Sequence, residues 1–188
     1  LATLADAKNQ NVSLTREYNS MDKSIAVDIG FIGLGANLGD PVATLSSALS
    51  QIAELAHVEL LACSSFYDSV PMGPSEQPNY TNAVCKISTT LDGLSLLKQL
   101  QHIEQTHGRI RTGDHWGPRT LDLDLLILGN QTYHTDELTL PHYGMQGREF
   151  VLVPMFELQP DLLMPDNTPI AKWVSECDVS QLRRISLN

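Results

Sequence analysis

The stretch AVDIGFIGLGANLGDP, residues 26–41, reads as a buried strand delivered into a capped helix. Its apolar run over 26–34 suits a strand, and GANLGD (35–40) supplies turn residues. Asp40 stands where an N-cap side chain accepts a backbone N–H, and Pro41 where the first helical residue needs no donor. Beyond them Leu45, Ala48, Leu49, Ile52, Leu55 and Ala56 recur at spacings of three and four, so a helix ending near Ala56 has one apolar face.

Working outward, residues 58–67 are rich in apolar and β-compatible types, and Ala83, Cys85 and Ile87 alternate with Asn82, Val84 and Lys86, which predicts two more strands. The link between them, DSVPMGPSEQPN (68–79), holds three prolines and reads as a long shaped loop. A second helix is predicted over 93–107, with Leu96, Leu97, Leu100 and Ile103 inward and Gly108 as its stop, and a strand over 120–128 follows. Strand, helix, strand, strand, helix, strand is the split βαβ order: an α+β, ferredoxin-like βαββαβ core, an antiparallel sheet with helices packed on one face. Residues 133–188 read as a C-terminal elaboration with a short strand near 150–153 and further helical turns. Residues 1–20 are polar and lack the apolar segment of a signal peptide, so Met21 is expected as the native start, 1–20 as an appended or accessory extension, and 21–188 as a single domain.

Composition narrows the function classes. Twelve Lys and Arg against 22 Asp and Glu give a net charge of −10, which repels a nucleic-acid backbone. No apolar run approaches the length of a membrane span, so neither nucleic acid nor membrane is an expected partner. Cys63, Cys85 and Cys177 are odd in number and lack CxxC spacing, which argues against a disulfide framework and places the expected home in the cytosol.

The chemistry concentrates in RIRTGDHWGPRTLDLDLLILG, residues 109–129. On a strand Asp122 and Asp124 point to one face while Leu121, Leu123 and Leu125 point to the other. Two carboxylates side by side repel, a cost that makes sense with a divalent cation between them, and oxygen ligands suit Mg²⁺ carried on phosphates. A bare D-x-D reads more readily as a wet strand face. Arg109, Arg111 and Arg119, clustered beside it in a strongly acidic chain, favour an anionic substrate with a metal, and Trp116 in a polar loop has no place in a plain salt-bridge lattice.

WGPRTLDLDLLILG resembles the signature of the 6-hydroxymethyl-7,8-dihydropterin pyrophosphokinase family of folate biosynthesis. Its other landmarks occur in order: GANLGD (35–40), SSFYDSVPMGPSEQPNYTNAV (64–84), IEQTHGRIR (103–111) and LPHYGMQGREFVLVPMFEL (140–158). The resemblance implies a ferredoxin-like fold and transfer of pyrophosphate from ATP to the pterin hydroxymethyl group, with AMP released. It implies that Asp122 and Asp124 bind two Mg²⁺ ions, that Arg109 and Arg111 close on the triphosphate, and that Trp116 seals the site. Arg119, His142, Tyr143 and Arg148 fall at phosphate and nucleotide positions, as do Gln101 and Glu104. Tyr80 and Phe150 resemble the aromatic pair around the pterin, Asn82 the amide that reads its edge, and Ser69, Val70, Pro71 and Met72 the segment that completes the pocket. Taken singly, Phe150 reads more readily as core and His142 as structural, and Asn82 could be an edge residue; the resemblance assigns them. Ala36, Val70 and Thr112 depart from the family's usual residues, and none of the three is a metal ligand.

A monomer with ATP and the dihydropterin as its small-molecule partners is the expectation. Two rivals stay open at this level: a metal-dependent phosphohydrolase using water, and a nucleotide-sensing module that breaks no bond. A P-loop kinase is excluded because no GxxxxGK[ST] sequence is present.

Overall fold

A computed structural model describes residues 26–72, 76–109 and 117–186; the expectations for residues 1–20, Met21, Arg111 and Trp116 lie outside them. The chain runs β1 (Asp28–Ala36), α1 (Pro41–Ala53), β2 (Val58–Cys63), β3 (Tyr67–Ser69), β4 (Tyr80–Thr89), α2 (Gly93–Thr106) and β5 (Asp122–Leu128). There follow β6 (Tyr133–His134), β7 (Thr139–Leu140), α3 (Glu149–Leu158), α4 (Ile170–Ser175) and β8 (Arg183–Arg184).

The sheet has the spatial order β5-β1-β4, with β4 pairing both β2 and β3 along its other edge. Every neighbouring pair is antiparallel. β1 and β2, joined through α1, are separated by β4, which is the ferredoxin-like arrangement the element order predicts. α1 begins as its sequence demands: the Asp40 carboxylate accepts from the Ala43 N–H at 3.1 Å, with Pro41 at the first position. α2 is capped in the same way by Asp92, which accepts from the Ser95 N–H at 2.8 Å. It stops at Gly108, whose φ of +78° suits glycine.

Leu45, Ala48 and Ile52 of α1 and Leu96, Leu100 and Ile103 of α2 pack on the inner face of the sheet, against Ile32, Leu34, Cys85, Ile87, Leu123 and Leu125. Each of these side chains is fully or almost fully buried, and a Leu or Ile so placed contributes about 1.5–3 kcal/mol. Register shifts where β5 meets β1, Ile32 facing Leu125 but Phe31 facing Ile127. This bulge at Leu126 returns Leu128 to the same core as Leu121, Leu123 and Leu125.

Three expectations need correction. The strand predicted over 58–67 is two strands, because the Ser64 hydroxyl accepts the Val84 N–H at 3.0 Å and donates to the Ser65 carbonyl at 2.8 Å, replacing ladder bonds where the chain bends. After that bend β3 takes up the start of the predicted long loop, and β8 adds a further edge to β3. Residues 150–153 are helical, part of α3, since a short apolar run is equally compatible with a buried helix. Tertiary packing decides it: Phe31, Val84 and Leu126 on the outer face are covered by Val151, Leu152 and Met155. The helices therefore do not keep to one face, and α3 and α4 cover part of the second.

No helix among the described residues is long and apolar enough to cross a membrane.

Candidate active site

Strand register builds the site. Across the outer face, Asp122, Gly35, Asn82 and Tyr67 form one row of directly opposed residues, and Asp124, Gly33 and Val84 form the next. The carboxylates of β5 are thus separated from the side chains of β4 by two glycines, a gap of roughly 10 Å over two strand spacings. A methyl at Gly35 would stand 3.5 Å from Asn82 Oδ1 and 3.9 Å from the Tyr80 ring, so it would fit the fold and occupy the floor of the hollow. The resulting cavity is about 340 Å³. Ser69, Val70, Met72, Gln77, Tyr80 and Asn82 wall one end, Arg119, Asp122, Asp124, His142, Tyr143 and Arg148 the other, with Phe150 and Val151 of α3 alongside.

The carboxylate end is dense in paired charge. Asp122 accepts through Oδ1 from Arg109 and through Oδ2 from Arg119. Arg109 also donates to Glu104, whose Oε1 accepts the Leu123 N–H at 2.9 Å. Burial opposes the charge of Arg109, but Asp122 and Glu104 hold its guanidinium above the ordinary value. Burial and then the neighbouring charge of Asp122 push the Asp124 carboxyl up. Among the described residues no group of three or more His, Cys, Asp or Glu is placed to hold a metal ion by itself. An aspartate pair without a third protein donor, its second carboxyl raised by the first, fits a hard divalent cation that arrives on phosphate oxygens.

His142 takes a definite form. Its Nδ1 accepts the Gly144 N–H at 3.1 Å, so the neutral ring carries its proton on Nε2, and burial holds its pKa below the usual value. Tyr143 stacks on it, ring centroids 4.8 Å apart, and is otherwise exposed. Arg148 lies over Gly144: a Cβ there would sit 2.6 Å from the guanidinium carbon.

At the ring-lined end, Asn82 Nδ2 donates to Ser69 Oγ at 2.9 Å, which turns its Oδ1 toward the Gly35 floor. The Tyr80 hydroxyl donates to the Gly117 carbonyl at 3.1 Å, and burial raises its pKa.

Most expected site residues therefore converge on one cavity. Gln101, Glu104, Arg109 and Pro71 are not among its walls; Glu104 and Arg109 act on Asp122 and Leu123 from behind. Reading the sequence missed Gly33, Gly35, Gln77, Gly144 and Asn37. The glycines carry no chemistry, and Gln77 and Asn37 acquire their partners only across the fold.

A ferredoxin-like α+β domain with an arginine-flanked aspartate pair at one end of a cleft and aromatic side chains at the other defines a site for an anionic substrate beside a flat one. Residues 31–160 match the 7,8-dihydro-6-hydroxymethylpterin-pyrophosphokinase family, and the chain belongs to it. A 2-amino-4-hydroxy-6-hydroxymethyldihydropteridine pyrophosphokinase of Haemophilus influenzae is 49% identical over 146 residues, covering 78% of this chain and 91% of that one. The protein of the same name from Pseudomonas aeruginosa is 41% identical over 155 residues, covering 82% and 95%. A crystal structure of Plasmodium falciparum HPPK-DHPS aligns with a TM-score of 0.63 at 14% identity, over 82% of this chain and 46% of that one; it is similar in fold, and this chain spans under half its length.

Proposed function

We propose that the chain transfers pyrophosphate from ATP to the hydroxymethyl group of 6-hydroxymethyl-7,8-dihydropterin, giving AMP and the pterin diphosphate in folate biosynthesis. The observation that carries this reading is the single cavity joining the Asp122–Asp124 pair to Tyr80, Asn82 and Phe150. The pterin hydroxyl oxygen attacks the β-phosphorus, a new O–P bond forms as the hydroxyl proton is released to solvent, and the bond to the α,β-bridging oxygen breaks as AMP leaves in line. Such a reaction is catalysed by positioning and charge neutralisation.

Asp122 and Asp124 are the residues that would hold Mg²⁺, with two ions as the expected complement. When bound, the metal neutralises and orients the phosphates. Arg119 and Arg148 donate to phosphate oxygens, and neutral His142 donates from Nε2 without adding charge. Arg109, braced by Glu104, stabilises charge developing on the transferred group together with Arg111, and Trp116 seals the site. Tyr80 and Phe150 offer π faces to the heterocycle, and Asn82, its amide fixed by Ser69, offers Oδ1 to a ring N–H. Three free cysteines together with ATP as substrate support a cytosolic home.

Incubation with MgATP and the hydroxymethyl dihydropterin should yield AMP and pterin diphosphate in equal amounts. Phosphate release without pterin would replace this reading with a hydrolase, and tight binding without turnover with a sensing module.

A further inference from the structure

Asn37, the residue after β1, is 3% exposed and does not line the cavity, yet its hydrogen bonds reach both ends of the site. Its backbone N–H donates to the Arg119 carbonyl at 3.0 Å, and its Oδ1 accepts the Arg119 N–H at 2.8 Å. Its Nδ2 donates to Gln77 Oε1 at 3.2 Å and to the Pro78 carbonyl at 3.1 Å. Arg119 stands three residues before Asp122, and Pro78 two before Tyr80. One buried amide therefore ties the segment carrying the phosphate-end charges to the segment carrying the ring-end side chains.

A second bond runs in parallel, from the Tyr80 hydroxyl to the Gly117 carbonyl. The residue type is demanding. An aspartate would keep the acceptor for Arg119 but set a carboxylate oxygen against two acceptors, Gln77 Oε1 and the Pro78 carbonyl. Alanine would leave the Arg119 N–H and the Pro78 carbonyl without this partner in a dry setting.

We propose that Asn37 is a positioning residue that couples the two substrate sites, so that ordering the phosphate end around bound nucleotide also orders the pterin end. This rests on the two-substrate reading of the cavity given above. Coupling between sites is reciprocal and is measured as a ratio of affinities, which separates it from plain structural support.

The experiment is calorimetric titration of the dihydropterin with and without a non-hydrolysable MgATP analogue, on the wild type, Asn37→Asp and Tyr80→Phe, with thermal unfolding of each. In the wild type the analogue should raise pterin affinity about tenfold or more. Asn37→Asp should bring that ratio to about threefold or less while affinity for the analogue alone changes by less than about threefold. Tyr80→Phe, which keeps the ring and loses only the second tie, should lower the ratio in the same direction, and it decides alone if Asn37→Asp does not fold. A ratio unchanged in the folded variants, or both affinities falling in step with the melting temperature, overturns the inference and leaves the function above intact. A wild type that binds neither ligand overturns both.

Discussion

Arg119 reaches forward three residues to Asp122 and takes Oδ2 of its carboxylate, while Arg109 takes Oδ1 from the other side. Both oxygens of a proposed metal ligand are thus held by arginines in the free protein. To hold a cation Asp122 would have to give up these arginines, which would then be available to phosphate oxygens. Arg119→Ala should therefore bind Mn²⁺ more tightly than the wild type when no nucleotide is present, yet turn over about 10²–10³-fold more slowly with MgATP and pterin. Electron paramagnetic resonance of free Mn²⁺ checks the first half and AMP release the second. Unchanged Mn²⁺ affinity would mean that the arginines do not compete for Asp122.

The two aspartates should separate in stability although they agree in activity. Asp122→Asn and Asp124→Asn should each lower turnover at least about 10³-fold, since each removes a proposed ligand for the cation. Asp124 has its carboxyl raised by burial and by Asp122, so its ionised form opposes folding above the ordinary carboxyl range. Asp124→Asn should then melt higher than the wild type at pH 7, with the gain fading as pH falls through the raised carboxyl value and gone by about pH 4, where the aspartate is neutral both folded and unfolded. Asp122→Asn instead loses two arginine partners and should be destabilised by about 1 kcal/mol. Melting curves at pH 7 and pH 3.5 distinguish the pair.

Phe150→Ala should weaken pterin binding about tenfold, from the lost ring contact, and change nucleotide binding less than about twofold. Separate calorimetric titrations provide the comparison. Equal losses for both ligands would show that Phe150 serves only to pack α3.

Glu157, at the far end of α3, accepts from the Ser65 N–H at 3.2 Å, the Ser65 hydroxyl at 2.7 Å and the Tyr67 hydroxyl at 2.9 Å. Burial works against its charge, but these bonds bring its carboxyl below the usual value, while burial and Glu157 raise Tyr67 to about 12. A carboxyl lowered in the folded state stabilises above its unfolded value and loses that contribution as pH falls through the folded one. Glu157→Gln should thus cost about 1–2 kcal/mol at pH 7, a difference that closes below about pH 4. Denaturant melts across that range give the test, and a pH-independent difference would assign the loss to packing alone.

Features with a local cause were legible in the chain alone. The cap at Asp40 and the shared face of Asp122 and Asp124 follow from helix and strand geometry, and both appear in the structure. What escaped depends on distant residues. Phe150 sits in a helix because a sheet face far back in the sequence, around Phe31, needs cover, and EFVLVPMFEL carries no period that announces it. Asn37 and Arg119 are 82 positions apart, so nothing near either one points to their bond. Gly35 reads as a turn residue and Gly33 as one more position of an apolar strand until the register places both in mid-sheet between Asp124, Asp122 and Asn82.

Those two glycines leave the outer layer of the sheet unfinished directly beside a core that is otherwise closed over by Leu126, Val151 and Met155. A heterocycle bound there, as proposed, would stand in for the side chains that a complete layer would have supplied. Ligand would in this sense be an interchangeable part of the tertiary structure, its binding free energy entering the folding equilibrium: a hundredfold excess over the dissociation constant would add about 2.7 kcal/mol. Resistance to unfolding and proteolysis then rises and falls with the supply of substrate, so a cell starved of pterin would lose the enzyme faster than one that is using it.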